Sequence, residues 1–64
     1  MVRFKIEKSD TLTIYIHFFA DHYSIIDRRD GVNYDACPPQ YRDPEVLQGM
    51  IAGYRANPEF TECY

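Results

Sequence analysis

Positive charge is scarce in this sequence of 64 residues: seven lysines and arginines stand against ten acids, for a net charge of −3. The deficit is C-terminal. Residues 1–32 hold five acids and five bases, whereas residues 33–64 hold five acids against Arg42 and Arg55 alone. A protein that grips nucleic acid displays a basic stripe that releases phosphate counterions. Only the pair Arg28-Arg29 and the set Arg3, Lys5 and Lys8 come near one, so direct nucleic-acid binding is not expected.

Long apolar runs are missing as well. The stretch from Leu12 to Ala20 is too short to span a bilayer, contains Thr13, Tyr15 and His17, and follows Glu7 and Asp10 rather than a basic leader. The expectation is a soluble, cytoplasmic protein with no membrane partner. Cysteine is sparse: Cys37 and Cys63 fall far below the density of a disulfide-stapled secreted scaffold. Reduced thiols are the default, with a single Cys37–Cys63 bridge left open for an oxidising compartment.

Catalytic and cofactor motifs are absent too. There is no Gly-rich phosphate loop, no Gly-x-Ser-x-Gly elbow and no His-Glu-x-x-His helix. A Cys-His hydrolase would also need an oxyanion hole and a substrate cleft, for which so short a chain has little material. The sequence therefore predicts no enzyme, no catalytic residue and no cofactor. His17, Asp21, His22, Cys37 and Cys63 are potential metal ligands, but His17 and His22 lie five apart, sharing neither a helical face nor one side of a continuous strand. No Cys-x-x-Cys pair supports them. A small metal-binding protein is the weaker alternative.

What is present is pattern. Val2, Phe4 and Ile6 alternate with Arg3, Lys5 and Glu7, and after Lys8-Ser9-Asp10 the alternation resumes as Leu12, Ile14, Ile16 and Phe18 against Thr11, Thr13, Tyr15 and His17. Period two around a polar turn is the signature of a β-hairpin. Residues 19–36 fit either helix or strands; the β-branched and aromatic residues around Asp30-Gly31 favour strands. Cys37-Pro38-Pro39-Gln40-Tyr41 reads as a connector, because successive prolines remove donors from a strand ladder.

The helix signal is clearest over Pro44 to Ala56. Asp43 can cap it, Pro44 suits its first position, Glu45 complements its dipole and Asn57-Pro58 stops it. Val46, Leu47, Met50, Ile51 and Tyr54 form one apolar sector for a sheet to cover. Opposite them Gly49, Ala52, Gly53 and Ala56 make a stripe of small residues. Either a partner's backbone or a second copy approaches Gly49 and Gly53, or the chain's own tail from Phe60 to Tyr64 folds over them, or the glycines are merely tolerated.

The predicted architecture is a single α+β domain: an N-terminal antiparallel hairpin extended to a sheet of three or four strands, packed by one C-terminal amphipathic helix. Burying only about 60% of its unfolded surface, such a chain is marginal alone. Tyr15, Tyr41, Tyr64, Arg28 and Arg29 are candidate contact residues, since tyrosine and arginine dominate binding hot spots. Asp27, Asp30 and Asp35, with Asp43 and Glu45, offer a negative face to a basic partner. The predicted function is a non-enzymatic protein-binding module, an inhibitor or adaptor occupying a site on a larger macromolecular machine. Chains of this size without a motif are often viral or mobile-element proteins acting against host machinery, anti-defence proteins included. A self-associating structural or accessory subunit, a homodimer built on the helix stripe or a strand edge, is the alternative.

Overall fold

The N-terminal alternation becomes two paired strands. β1 (Val2–Glu7) and β2 (Leu12–Phe18) run antiparallel, with Val2 opposite Phe18 and Phe4 opposite Ile16. Ser9 fixes the turn between them: its Oγ accepts hydrogen bonds from the backbone N–H of Thr11 and Leu12, at 3.3 and 3.1 Å. The computed structural model describes residues 1–63.

Residues 19–36 are strands, not helix. The chain reverses after β2, where the Phe19 N–H donates to the His22 carbonyl at 2.8 Å, and β3 (His22–Arg29) pairs back along β2. Asp30 and Gly31 then take φ values of 50° and 80°, the left-handed pair that a tight two-residue hairpin demands and that glycine adopts without steric cost.

The strand that follows corrects the reading of Cys37 to Tyr41 as a connector. β4 (Val32–Tyr41) runs straight through Pro38 and Pro39. It can do so because it lies at the sheet edge, where a missing N–H need not break a ladder. It also bulges: Ile25 and Ile26 of β3 face Cys37 and Asp35, which leaves Ala36 as an extra residue, and three steps of β4 from Cys37 to Gln40 match two steps of β3.

Helix α1 (Pro44–Ala56) occupies the predicted range, although the Asp43 side chain makes no capping hydrogen bond. It is not the C-terminal element. After the stop at Asn57, β5 (Thr61–Cys63) pairs antiparallel with β1, so the sheet has five strands in the order β4-β3-β2-β1-β5 instead of three or four. The fold is α+β, with the helix inserted between the fourth and fifth strands. β5 escaped sequence reading because three residues are too few to show a period.

Phe4, Ile16 and Phe18 from the sheet and Leu47 and Ile51 from the helix form the buried core, flanked by Val2, Tyr23, Ile25, Met50, Tyr54 and Phe60. Phe4 and Phe18 meet edge to face at 6.1 Å, and Tyr54 meets Phe60 in the same manner at 4.8 Å. Val46 departs from expectation and stays exposed. At one hundred degrees per residue it stands a full step round the helix from Leu47, beyond the reach of the sheet.

The topology decides two alternatives that the sequence leaves open. Cys37 and Cys63 are free and lie on opposite edge strands, four strand spacings or roughly 19 Å apart, far outside the reach of a disulfide. Phe60 to Cys63 do not fold over Gly49 and Gly53, because Thr61–Cys63 is committed to β1 and, among the described residues, nothing stands within 4 Å of where a methyl group on either glycine would lie; Tyr64 lies outside the described residues. Among the described residues no helix is long and apolar enough to cross a membrane.

Candidate functional site

One helix covers only one side of this sheet. Cross-strand partners point to the same side, so the register places three rows on the opposite, uncovered face. The central row is Thr61, Lys5, Tyr15, Ile26 and Asp35; beside it lie Cys63, Arg3, His17 and Ser24, and on its other flank Glu7, Thr13, Arg28 and Asn33. The polar half of the N-terminal alternation thus forms the uncovered face, while Phe4, Ile16 and Phe18 of its apolar half enter the core.

At the centre of this face is a shallow concavity of about 310 Å³. Arg3, Lys5 and Arg28 line it together with Tyr15, His17 and Ile26, and Asn33 and Cys63 close its two ends from β4 and β5. Among the described residues no carboxylate belongs to the lining. Lys5 leans to Glu7 at 3.7 Å, but among the described residues Arg3 and Arg28 have no ion-pair partner. The Nε of Arg3 is buried with no hydrogen-bond acceptor, an uncommon state for a charged donor. Burial, and secondly the Arg3 guanidinium beside it, push His17 below its ordinary pKa of 6.5.

Aromatic rings continue from the concavity to one end of the face. Tyr15 and His17 lie 6.3 Å apart, His17 and Phe19 6.5 Å, Phe19 stacks on His22 at 4.5 Å, and His22 meets Tyr41 at 5.0 Å. The Asp21 carboxylate holds the His22 ring through Nδ1 at 2.6 Å. The row ends in the open, with Phe19 38% and Tyr41 65% exposed.

The candidate contact residues divide. Tyr15, Arg28 and Tyr41 are gathered on the uncovered face, and Asp35 stands at its β4 edge. Arg29 and Asp27 point to the helix side, where they face each other at 3.9 Å. Asp30 sits in the hairpin turn. The acidic trio Asp27, Asp30 and Asp35 is therefore scattered over two faces and a turn and does not make one surface. Gly49 and Gly53 lie on the outer side of α1, and Tyr64 falls outside the described residues.

His17 and His22 do share a side of the sheet, contrary to the spacing argument, because the turn at 19–21 places them on adjacent strands. Among the described residues no three His, Cys, Asp or Glu side chains converge as a metal site would require. Sequence reading missed Phe19, His22 and Cys63 as members of this face, since each depends on where the chain turns. The signal for Arg3 and Lys5 was present in their alternation with Val2, Phe4 and Ile6. No protein-family model, curated protein or solved structure matches the chain.

Proposed function

We propose that this chain is a non-enzymatic protein-binding module, an inhibitor or adaptor that occupies a site on a larger protein, and that it binds through the uncovered face of its sheet. The observation that carries the reading is the row of rings from Tyr15 to Tyr41, which ends exposed on a face without a covering layer. Aromatic side chains give large contact area at small entropic cost, and exposed ones clustered beside cations are the usual makings of a hot spot. The cations Arg3, Lys5 and Arg28 favour an acidic patch on the partner. Reduced Cys37 and Cys63 fit work in the cytoplasm, and small size without a catalytic motif suits an inhibitor of viral or mobile-element origin, anti-defence included.

The test is affinity capture of the tagged chain from its own cell or a host cell, followed by binding of the captured partner to Phe19→Ala and Tyr41→Ala variants. Each should weaken binding about tenfold or more. Equal binding by both variants would remove this face as the contact surface.

A second reading, self-association, is favoured by one feature. β4 presents a ten-residue edge carrying exposed Val32 and Tyr34, an arrangement that invites pairing with another strand. Sedimentation of the purified chain decides it: a dimer dispersed by Tyr34→Lys supports the edge as an interface, and a monomer dismisses it.

A further inference from the structure

We infer that the concavity between Arg3, Lys5 and Arg28 is a binding site for a nucleoside monophosphate, with the phosphate held by the three cations and the base laid against Tyr15 and His17. The inference goes beyond the partner-binding reading and draws on the same cations and on the Tyr15–His17 end of the same ring row, so separate readouts are needed to tell the two apart.

Charge is the first argument. Three cations from two strands line one depression, and among the described residues no lining carboxylate answers them. Lys5 has a distant companion in Glu7, but among the described residues Arg28 has no ion pair and the buried Arg3 Nε has no acceptor. Together they offer more N–H groups, from more directions, than the two oxygens of a carboxylate can satisfy. A phosphate monoester brings three terminal oxygens and close to two negative charges at neutral pH, and arginine binds such a group bidentately.

The second argument is the company these cations keep. Tyr15 and His17 line the same depression with their ring planes 70° apart, so one ring at a time can take a base on its face while the phosphate stays with the cations. Planar heterocycles stack on such rings regardless of base identity. The side-chain amide of Asn33 at the β4 end supplies one donor and one acceptor for a base edge. A volume of about 310 Å³ is at the lower end of small-ligand pockets, which suits one nucleotide.

The third argument excludes a polymer. Asp10 and Asp30 share the adjoining depression with Arg28, Glu7 flanks Lys5, and Asp35 stands at the sheet edge. A single phosphate at the centre avoids this acidic surround, whereas the chain of phosphates in a longer strand would cross it. That agrees with the net charge of −3, which weighs against a nucleic-acid groove.

The test titrates the full chain with AMP and with UMP at low salt, followed by amide chemical shifts and calorimetry. Saturable shifts at Arg3, Tyr15, His17 and Arg28 with Kd below about 1 mM are expected, weakened about tenfold or more when adenosine replaces AMP. Arg28 is exposed, so Arg28→Met keeps the fold and should weaken AMP about tenfold; Arg3→Lys, which retains charge but loses the fork, is the second variant. The inference is overturned by no saturation up to about 10 mM, by inorganic phosphate binding as tightly as AMP, or by both variants binding as the parent does. Retained partner binding in the absence of AMP binding would discard this site alone, while loss of partner sensitivity to Phe19→Ala and Tyr41→Ala would discard only the protein-binding reading.

Discussion

Arg55 and Glu62 form a two-pronged hydrogen-bonded pair, with Nε to Oε1 at 2.8 Å and Nη2 to Oε2 at 3.0 Å, which fastens the last turn of α1 to β5. The Glu62 side chain is largely shielded while Arg55 remains half exposed, so the pair lies between a surface ion pair and a buried one. Bidentate geometry raises its worth towards the upper end of the surface range, about 1 kcal/mol. Glu62→Gln should lower Tm by about 4–8 °C at low salt, with a smaller loss at high salt. An equal loss at both salt concentrations would show that packing rather than charge is responsible.

The two helical glycines give a prediction of opposite sign. Among the described residues nothing lies within 4 Å of where a methyl group on Gly49 or Gly53 would stand, and both sit inside a helix where glycine is less favourable than alanine by about 0.8–1 kcal/mol. Gly49→Ala and Gly53→Ala should each raise Tm by several degrees in the isolated chain. A fall in Tm would reveal that something packs against the stripe in solution, as self-association through the helix requires.

His17 makes stability depend on pH. Its folded pKa is depressed, first by burial and then by Arg3, so the folded state holds fewer protons than the unfolded chain near pH 6. Its contribution is complete above the ordinary value of 6.5 and is lost as pH falls through the lowered value. Urea midpoints should therefore drop between about pH 7.5 and 5.5, and His17→Gln should flatten that slope. An unchanged slope in the variant would assign the pH response to other groups.

Oxidation should fail to close a ring within one chain. With Cys37 and Cys63 on opposite edges of the sheet, mild oxidant leaves both thiols titratable or joins separate chains. A monomer lighter by two hydrogens in mass spectrometry, with the fold retained, would contradict the strand order.

The core leaves little margin. Phe4 is wholly buried and touches the rings of Phe18 and Tyr54 at 6.1 and 5.7 Å. Phe4→Ala should cost about 3–5 kcal/mol, comparable to the whole stability of a domain this small, and leave the chain unfolded by circular dichroism at 25 °C. Val46→Ala, at an exposed position of α1, should change stability by under about 0.5 kcal/mol.

The parts legible in the sequence were those governed by local rules. Alternation from Val2 to Phe18 declared both the core and the polar face behind it, and Pro44 with Asn57-Pro58 bounded the helix to the residue. Sheet order was not legible, because pairing between β1 and β5 joins residues far apart in sequence and leaves no periodic trace in three residues. Edge position was hidden for the same reason, and with it the tolerance of β4 for Pro38 and Pro39. The site inherited these gaps: Tyr15, Arg28 and Tyr41 could be chosen by residue type, but grouping them with Arg3 and His17 needed the register.

The pairing of β5 with β1 has a kinetic consequence. Arg3 and Cys63 lie near opposite ends of the sequence, with β2, β3, β4 and α1 between them, so their contact closes a loop of nearly the entire chain. Loop closure of that length delays a contact in folding, and a three-residue strand has few hydrogen bonds with which to hold it. β5 is thus the latch of the molecule: the last piece to engage, the first to exchange its amide hydrogens, and the step that removes the β1 edge as a template for aggregation.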